Sequence, residues 1–146
     1  MEDLVYPTYP FKIKPVKGKD QLYDPFRQRW VILTPEEWVR QNILQYLVQV
    51  CKYPSSMIAV EKTIKLGELN KRFDIVIFKQ SAPWMIIECK EAKVAISEKT
   101  IGQILQYQQV MVAEYLVVSN GHETYGAKIA SGKLHSMQNF PDYPLN

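Results

Sequence analysis

The sequence predicts an α/β fold, more narrowly an α+β arrangement in which helices flank a mixed central sheet, in the order α-β-β-β-α-β-β. Three observations predict it. The length of 146 residues suits one domain with a short arm. Two stretches carry apolar residues at helical spacing, and several short β-branched runs lie between turn signals. A composition of 47% hydrophobic and 23% charged residues is typical of soluble globular chains and excludes global disorder.

The sequence predicts an extended arm over residues 1–26 and the domain itself over residues 27–146. Prolines at 7, 10, 15 and 25 interrupt any periodicity, because proline fixes φ and removes a hydrogen-bond donor. A short strand is expected at residues 30–33. We therefore expect the arm to lie on the domain without contributing an element to its core.

The first helix begins at Thr34, which is a favourable N-cap residue. Pro35 suits the first helical position, and Glu37 completes a Thr-x-x-Glu capping box. Apolar residues then recur at helical spacing until Tyr53-Pro54 ends the segment.

A predicted hairpin follows the first helix, and further strands and a second helix follow the hairpin. Apolar residues at helical spacing predict the second helix over residues 97–113. The predicted strands before and after this helix favour a parallel pair joined by a crossover. The predicted strands are residues 57–64, 72–78, 84–90, 115–118 and 124–129.

Charge and cysteine content bound the function only loosely. There are 18 Lys and Arg against 15 Asp and Glu, a net charge of +3 that permits a nucleic-acid partner without requiring one. Cys51 and Cys89 are isolated, so neither a disulfide framework nor a zinc site is expected. The acidic N-terminus is unlike a signal peptide and no apolar run could span a membrane, so we expect a cytoplasmic protein without a membrane partner.

The sharpest chemical feature is the strand end Ile86-Ile87-Glu88-Cys89-Lys90. Side chains alternate along a strand, so Glu88 and Lys90 share one face where an apolar strand ends. Asp74 also lies in an otherwise apolar strand, and a hairpin would bring it beside Glu88. Two carboxylates at that range repel each other unless a divalent cation bridges them.

These residues resemble the signature of the PD-(D/E)XK nuclease superfamily, and the closer resemblance is to the N-terminal nuclease domain of type I restriction enzyme R subunits. The resemblance covers roughly residues 27–126, with Phe73 where the family has proline and Ser119 where its turn has threonine. Five stretches carry it in the family's order: Thr34-Pro35-Glu36-Glu37-Trp38-Val39-Arg40, Arg72-Phe73-Asp74, Ile87-Glu88-Cys89-Lys90, Gln103-Ile104-Leu105-Gln106-Tyr107 and Ser119-Asn120-Gly121.

The resemblance implies a restriction-endonuclease-like core and metal-assisted hydrolysis of phosphodiester bonds. Asp74, Glu88 and the backbone carbonyl of Cys89 would hold Mg²⁺ or Mn²⁺. Lys90 would orient the attacking water. Further residues would assist: Glu37 at the metal, and Gln103 and Tyr107 at a phosphate or at the lysine.

Several of these residues have plainer interpretations. Glu88 can pair with Lys90, Asp74 with Arg72, and Gln103 and Tyr107 can pack a helix edge on the sheet. Glu36 or Glu61 can supply the acid instead of Glu37. Arg40 has the spacing to brace Glu36 or Glu37, which we favour over contact with DNA.

The sequence thus predicts a metal-dependent nuclease domain, with DNA favoured over RNA as substrate. The alternative is a module on a nuclease fold that binds nucleic acid or protein without cleaving. No Gly-x-x-x-x-Gly-Lys-[Ser/Thr] segment occurs, so ATP-driven translocation is not expected in this chain. It is either a stand-alone small relative of the family or a partner of a separate motor or specificity subunit. One active site per domain also suggests a homodimer for cutting both strands.

Overall fold

The computed structural model describes residues 1–97, 99–103 and 113–144. Three short strands precede a helix, and six strands follow it. The first strands are β1 (Ile13–Val16), β2 (Lys19–Asp24) and β3 (Arg29–Ile32), followed by the helix α1 (Pro35–Gln49) and a 3₁₀ turn (Ser55–Met57). The later strands are β4 (Ile58–Leu66), β5 (Leu69–Lys79), β6 (Ala82–Cys89), β7 (Tyr115–Ser119), β8 (Thr124–Ala130) and β9 (Lys133–Met137).

The central sheet is mixed, which confirms the predicted fold class at that level. Its six strands lie in the order β4-β5-β6-β7-β8-β9. The strands β6 and β7 are parallel, and the other neighbouring pairs are antiparallel. Residues 99–103 are helical, whereas residues 104–112 of the predicted second helix lie outside the described residues. None of the described helices is long and apolar enough to span a lipid bilayer.

The N-terminal residues differ from the predicted arm. Residues 1–12 are irregular, but β1, β2 and β3 form an antiparallel sheet of their own. The turn between β1 and β2 uses positive φ at Lys17 (51°) and Gly18 (81°). Pro15 is tolerated because β1 is an edge strand, where a missing N–H leaves no ladder bond unmade. The predicted boundary between residues 26 and 27 remains a prediction.

The last strand, β9, is also absent from the sequence prediction. Its residues are almost all exposed, so the pattern lacks the apolar alternation that indicates a half-buried strand. The strand forms because Ser131 and Gly132, both at positive φ, turn the chain back along β8.

Helix α1 begins where the capping pattern predicts. The Thr34 Oγ1 atom accepts the Glu37 backbone N–H at 3.0 Å, and Pro35 occupies the first turn. The helix ends at Gln49, before the predicted stop at Tyr53-Pro54. It places the buried residues Val39, Ile43, Leu44 and Leu47 in the larger core cluster, together with β5 and β6.

The middle of the central sheet is buried on both faces. One face packs on α1, and the other packs on a second cluster that includes Ile96, Ile101 and Ala113. Ile75, Val76 and Ile77 are therefore all fully buried in the middle of β5. Asp74 lies at the edge of this apolar segment, and this position is where the candidate site begins.

Candidate active site

Asp74 and Glu88 lie side by side on β5 and β6. The register pairs Ile75 with Ile87, so the two acids follow as the next residues on neighbouring strands. The Asp74 backbone N–H donates to Glu88 Oε1 at 3.1 Å, and the Cys89 backbone N–H donates to Asp74 Oδ2 at 2.8 Å. The Glu88 carboxylate is thus held against the backbone of Asp74, and the Asp74 carboxylate against the backbone of Cys89.

The protonation of Glu88 is strongly affected by this arrangement. Burial, followed by the negative charge of Asp74, raises the pKa of Glu88 to about 7. The Asp74 N–H and the charges of Lys71 and Lys90 act in the opposite direction. A divalent cation beside these carboxylates would favour the ionised form of Glu88. Metal binding requires this form, because a carboxylate must lose its proton before it can act as a ligand.

Lys90 follows β6 directly, and its backbone is anchored to the neighbouring strand. Its N–H donates to the Ser119 carbonyl at 2.8 Å. The Lys90 charge lowers the pKa of both Glu88 and Glu36, so its ammonium group acts on the same region as the two acids. Within the part of the chain that the structure describes, this ammonium group has no hydrogen-bond or ion-pair partner.

Arg40 connects helix α1 to the site. Its Nη2 atom donates to Asp74 Oδ1 at 2.7 Å and to Glu36 Oε1 at 3.1 Å. The Asp74 ion pair is therefore made with Arg40 and not with Arg72. Arg40 also contacts Glu37, so it braces both helix acids, as the sequence spacing predicted.

Glu37 and Glu36 occupy very different environments. The buried Glu37 carboxylate accepts from Arg27 Nη2 and Arg40 Nη1 at 2.7 Å each, and from Gln41 Nε2 at 3.1 Å. Glu36 is exposed, and burial together with the charge of Asp74 raises its pKa. Glu36 is therefore the helix acid that lies in the field of Asp74, whereas Glu37 is fully occupied by cationic and amide donors.

Two residues of this region, Arg27 and Asp24, were missed by the sequence analysis. The buried Asp24 accepts the backbone N–H groups of Phe26 and Arg27 at 2.7 and 3.1 Å, and it forms an ion pair with the Arg27 guanidinium. An aspartate directly before a proline is a turn signal that could have indicated this local structure. Nothing local indicates that Arg27 reaches Glu37 on the helix.

Glu61 lies opposite Asp74 on β4. The register pairs Val60 with Ile75 and Lys62 with Phe73, and Glu61 lies between them with a φ of 51°. Residues held in this left-handed region cluster at functional sites, because the surrounding structure must offset the strain. The Glu61 carboxylate contacts Arg27 at 3.2 Å and Arg40 at 3.7 Å.

None of the hydrogen bonds or ion pairs that join the described residues of this cluster involves Gln103, and Tyr107 cannot be assigned a contact. Gln103 is exposed on the helical residues 99–103, and Tyr107 lies outside the described residues. The turn at Asn120 has a structural role: its Oδ1 accepts from His122 N at 2.9 Å and Glu123 N at 2.8 Å. Its Nδ2 donates to the Val94 carbonyl at 2.8 Å and so tethers the segment after Lys90.

The Asp74 and Glu88 carboxylates and the Cys89 carbonyl are oxygen donors, which is the ligand type that hard divalent cations prefer. Among the described residues no group of three or more His, Cys, Asp and Glu side chains could hold a metal ion. Mg²⁺ nevertheless commonly binds through one or two carboxylates and retains several waters. Asp74 and Glu88, with the Cys89 carbonyl, would be its protein ligands, and the Arg40 bond to Asp74 Oδ1 would compete with it.

A comparison with known proteins gives one family. A family model described as the N terminus of the type I restriction enzyme R protein matches residues 35–144. This range contains α1, the central sheet and the paired acids. No curated protein and no solved structure gives a significant match.

Proposed function

Because the chain belongs to the family of type I restriction enzyme R protein N termini, we propose that it is a metal-dependent nuclease domain that hydrolyses DNA phosphodiester bonds. The observation that carries the proposal is that Asp74, in the middle of β5, and Glu88, near the end of β6, lie beside each other on adjacent strands and close to Lys90. Ion pairs that serve only the fold seldom place two carboxylates side by side, since like charges destabilise each other. A divalent cation bound by both carboxylates would offset this repulsion, so a metal site accounts for their placement.

Asp74 and Glu88 would hold Mg²⁺ or Mn²⁺ with the Cys89 carbonyl. A bound divalent cation would lower the pKa of water and offset the negative charge that builds on the phosphate. Lys90 would hold the attacking water and add positive charge beside the scissile phosphate. Its ammonium group is suited to this role because it acts electrostatically on Glu88 and has no partner within the described residues.

On the helix side we assign the assisting acid to Glu36 rather than Glu37. Glu36 is exposed and lies in the field of Asp74, so it can reach a solvated ligand. Arg40 is a positioning residue in this scheme, because its bond to Asp74 Oδ1 fixes the orientation of that carboxylate. The family also makes a separate motor or specificity subunit a reasonable partner, and a homodimer would supply two active sites for a duplex.

One observation favours a second candidate, a module that binds nucleic acid without cleaving it. The Arg40 guanidinium already places positive charge 2.7 Å from Asp74 Oδ1. An arginine in that place can neutralise the carboxylate without a metal. In that case the carboxylates would stabilise the fold and the protein would bind DNA with the same affinity in EDTA.

The test is incubation of the purified protein with linear, circular and single-stranded DNA, in Mg²⁺, in Mn²⁺ and in EDTA. Cleavage should require the metal, and Lys90→Ala should reduce its rate by about 10²-fold or more, as expected for loss of a group acting on the reacting water. Lys93→Ala is the matched control, because Lys93 is an exposed lysine three positions further along.

Thermal melting in the same metal solutions separates the two candidates. Metal-induced stabilisation that is lost in Asp74→Ala and Glu88→Ala supports the nuclease. DNA binding that is independent of metal, with no cleavage of any substrate, supports the binding module. Cleavage that persists at the full rate in Lys90→Ala would refute the role given to that residue.

A further inference from the structure

The outer face of the N-terminal sheet concentrates cations and aromatic rings. The register pairs Tyr23 with Trp30 and Lys14 with Gln21, and the Tyr23 N–H donates to the Lys12 carbonyl at 2.9 Å. Side chains of directly opposed residues share one side of a sheet. We call this side the basic-aromatic face, and it consists of Lys12, Lys14, Val16, Lys19, Gln21, Tyr23, Trp30 and Ile32.

The acidic residues of this sheet all lie on its opposite side. Asp20 and Asp24 alternate with the residues of the basic-aromatic face along β2, and Leu22 lies with them. Leu22 and Asp24 are buried against the rest of the protein. The basic-aromatic face therefore presents three exposed lysines and no carboxylate.

The aromatic rings of this face are not part of the core. Trp30 is 37% exposed and packs edge-on to Tyr23, with 5.5 Å between ring centroids. The Lys14 ammonium lies 4.1 Å from the centre of the Trp30 ring, which is a cation–π contact. Neither ring belongs to the two core clusters, so packing of the core does not explain their presence.

The face continues into the candidate site. Trp30 and Ile32 of this face line a cleft of about 620 Å³ that is also lined by Glu36 and Arg40. A polymer lying on the basic-aromatic face could therefore extend along this cleft toward Asp74, which is bonded to Arg40.

We propose that the basic-aromatic face binds a single-stranded segment of DNA and leads it to the candidate site. Bases stack on Trp30 and Tyr23, while Lys12, Lys14 and Lys19 contact the phosphates. In the free protein Lys14 covers the Trp30 ring, and in the complex it exchanges the ring for a phosphate. Stacking requires an unpaired base with an accessible π-face, so the proposal commits to a single strand rather than a duplex. The claim that the strand is led to the candidate site rests on the proposed function. The binding of the strand to the basic-aromatic face does not depend on cleavage.

The experiment measures the fluorescence anisotropy of a labelled thymidine oligonucleotide in EDTA, so that no metal-dependent cleavage can occur. Trp30→Leu should weaken binding about tenfold or more, the effect expected for loss of one stacking contact. Lys14→Gln should weaken binding and reduce its dependence on salt, because one phosphate contact is lost. Lys133→Gln is the matched control, since Lys133 is an exposed lysine on β9 in the other sheet.

A second measurement verifies that Trp30 itself contacts the bases. Oligonucleotide binding should quench tryptophan fluorescence in the parent protein, and the quenching should disappear in Trp30→Leu. Unchanged melting temperatures show that the variants are folded. Equal affinity of Trp30→Leu and the parent, or equal affinity for a duplex of the same length, would overturn the proposal. Binding is measured in EDTA, where the proposed metal-dependent cleavage cannot occur, so a failure to bind the oligonucleotide and a failure to cleave DNA are separate results.

Discussion

The buried ion pair between Arg27 and Glu37 gives the sharpest test of what Glu37 does. Arg27 Nη2 lies 2.7 Å from Glu37 Oε1, and the two side chains are only 12% and 7% exposed. Removing one partner of such a pair leaves an uncompensated buried charge, which costs about 3–5 kcal/mol. We therefore expect Arg27→Met and Glu37→Gln each to lower the free energy of unfolding by about 3 kcal/mol.

The double variant should lose less than the sum of the single changes. Solvent screens this pair little, so we expect a coupling energy of about 2–3 kcal/mol. Urea denaturation followed by circular dichroism gives the four free energies of the cycle. Arg29→Met is the matched control, because Arg29 is exposed and forms no ion pair within the described residues. Surface changes of this kind usually stay within about 0.5 kcal/mol.

Additive losses, within about 0.5 kcal/mol, would refute the reasoning, since they would show that the two charges do not interact. The same variants test whether the pair acts on the candidate site. Because Glu37 also contacts Arg40, which is bonded to Asp74, the folded double variant should cleave more slowly than the parent in the same metal solution. An unchanged rate would show that Arg40 holds Asp74 without help from the Arg27–Glu37 pair.

Three further predictions follow from single features of the structure. The folded-state pKa of Glu88, about 7, lies above its ordinary value of 4.5, so stability falls as pH rises through that interval. At pH 8 without metal, the free energy of unfolding of Glu88→Gln should therefore exceed that of the parent by about 3 kcal/mol. The free energy of unfolding of the variant should also depend less on pH than that of the parent. The β5–β6 turn has positive φ at Gln80 (51°) and Ser81 (69°), so Gln80→Asn with Ser81→Gly should stabilise the protein by about 1 kcal/mol in urea denaturation. Asn120→Ala removes hydrogen bonds that include the tether to Val94, and calorimetry should show a loss of about 1–3 kcal/mol.

Local signals were sufficient for the elements that surround the site. The Thr34 cap depends on contacts within four residues, so the sequence predicts the start of α1 correctly. The hairpin from β5 to β6 is likewise local, and it is enough to bring Asp74 and Glu88 onto adjacent strands. The β-branched residues of these strands have few alternatives in a buried sheet.

The N-terminal sheet and β9 escaped prediction because their strands carry weak apolar patterns. In β1 every residue except Val16 is exposed, and Pro15 argues against a strand unless it lies at an edge. Strand pairing in such segments is determined by turns with positive φ, such as Lys17-Gly18, rather than by alternation. The strand propensities of these residues therefore give little indication of a sheet.

The choice between Glu36 and Glu37 could not be made from the sequence either. Both acids lie in the first turn of α1, and both have suitable spacing to Arg40. What separates them is Arg27, which comes from the loop between β2 and β3 and occupies Glu37. Contacts between residues that lie ten or more positions apart, on elements not yet paired, are invisible to local patterns.

Arg27 and Arg40 together connect the N-terminal sheet to the paired acids. Arg27 joins Asp24 to Glu37, Glu37 joins Arg27 to Arg40, and Arg40 joins Glu37 to Asp74. Each link is a buried or half-buried charge pair, and such pairs are costly to break singly because the partner remains without compensation. Residues that precede α1 are thus connected through charge pairs to the Arg40 guanidinium that contacts Asp74. Asp24, which begins this connection, lies on the side of the N-terminal sheet opposite the basic-aromatic face, so the oligonucleotide binding that we propose for that face does not require these charge pairs to break.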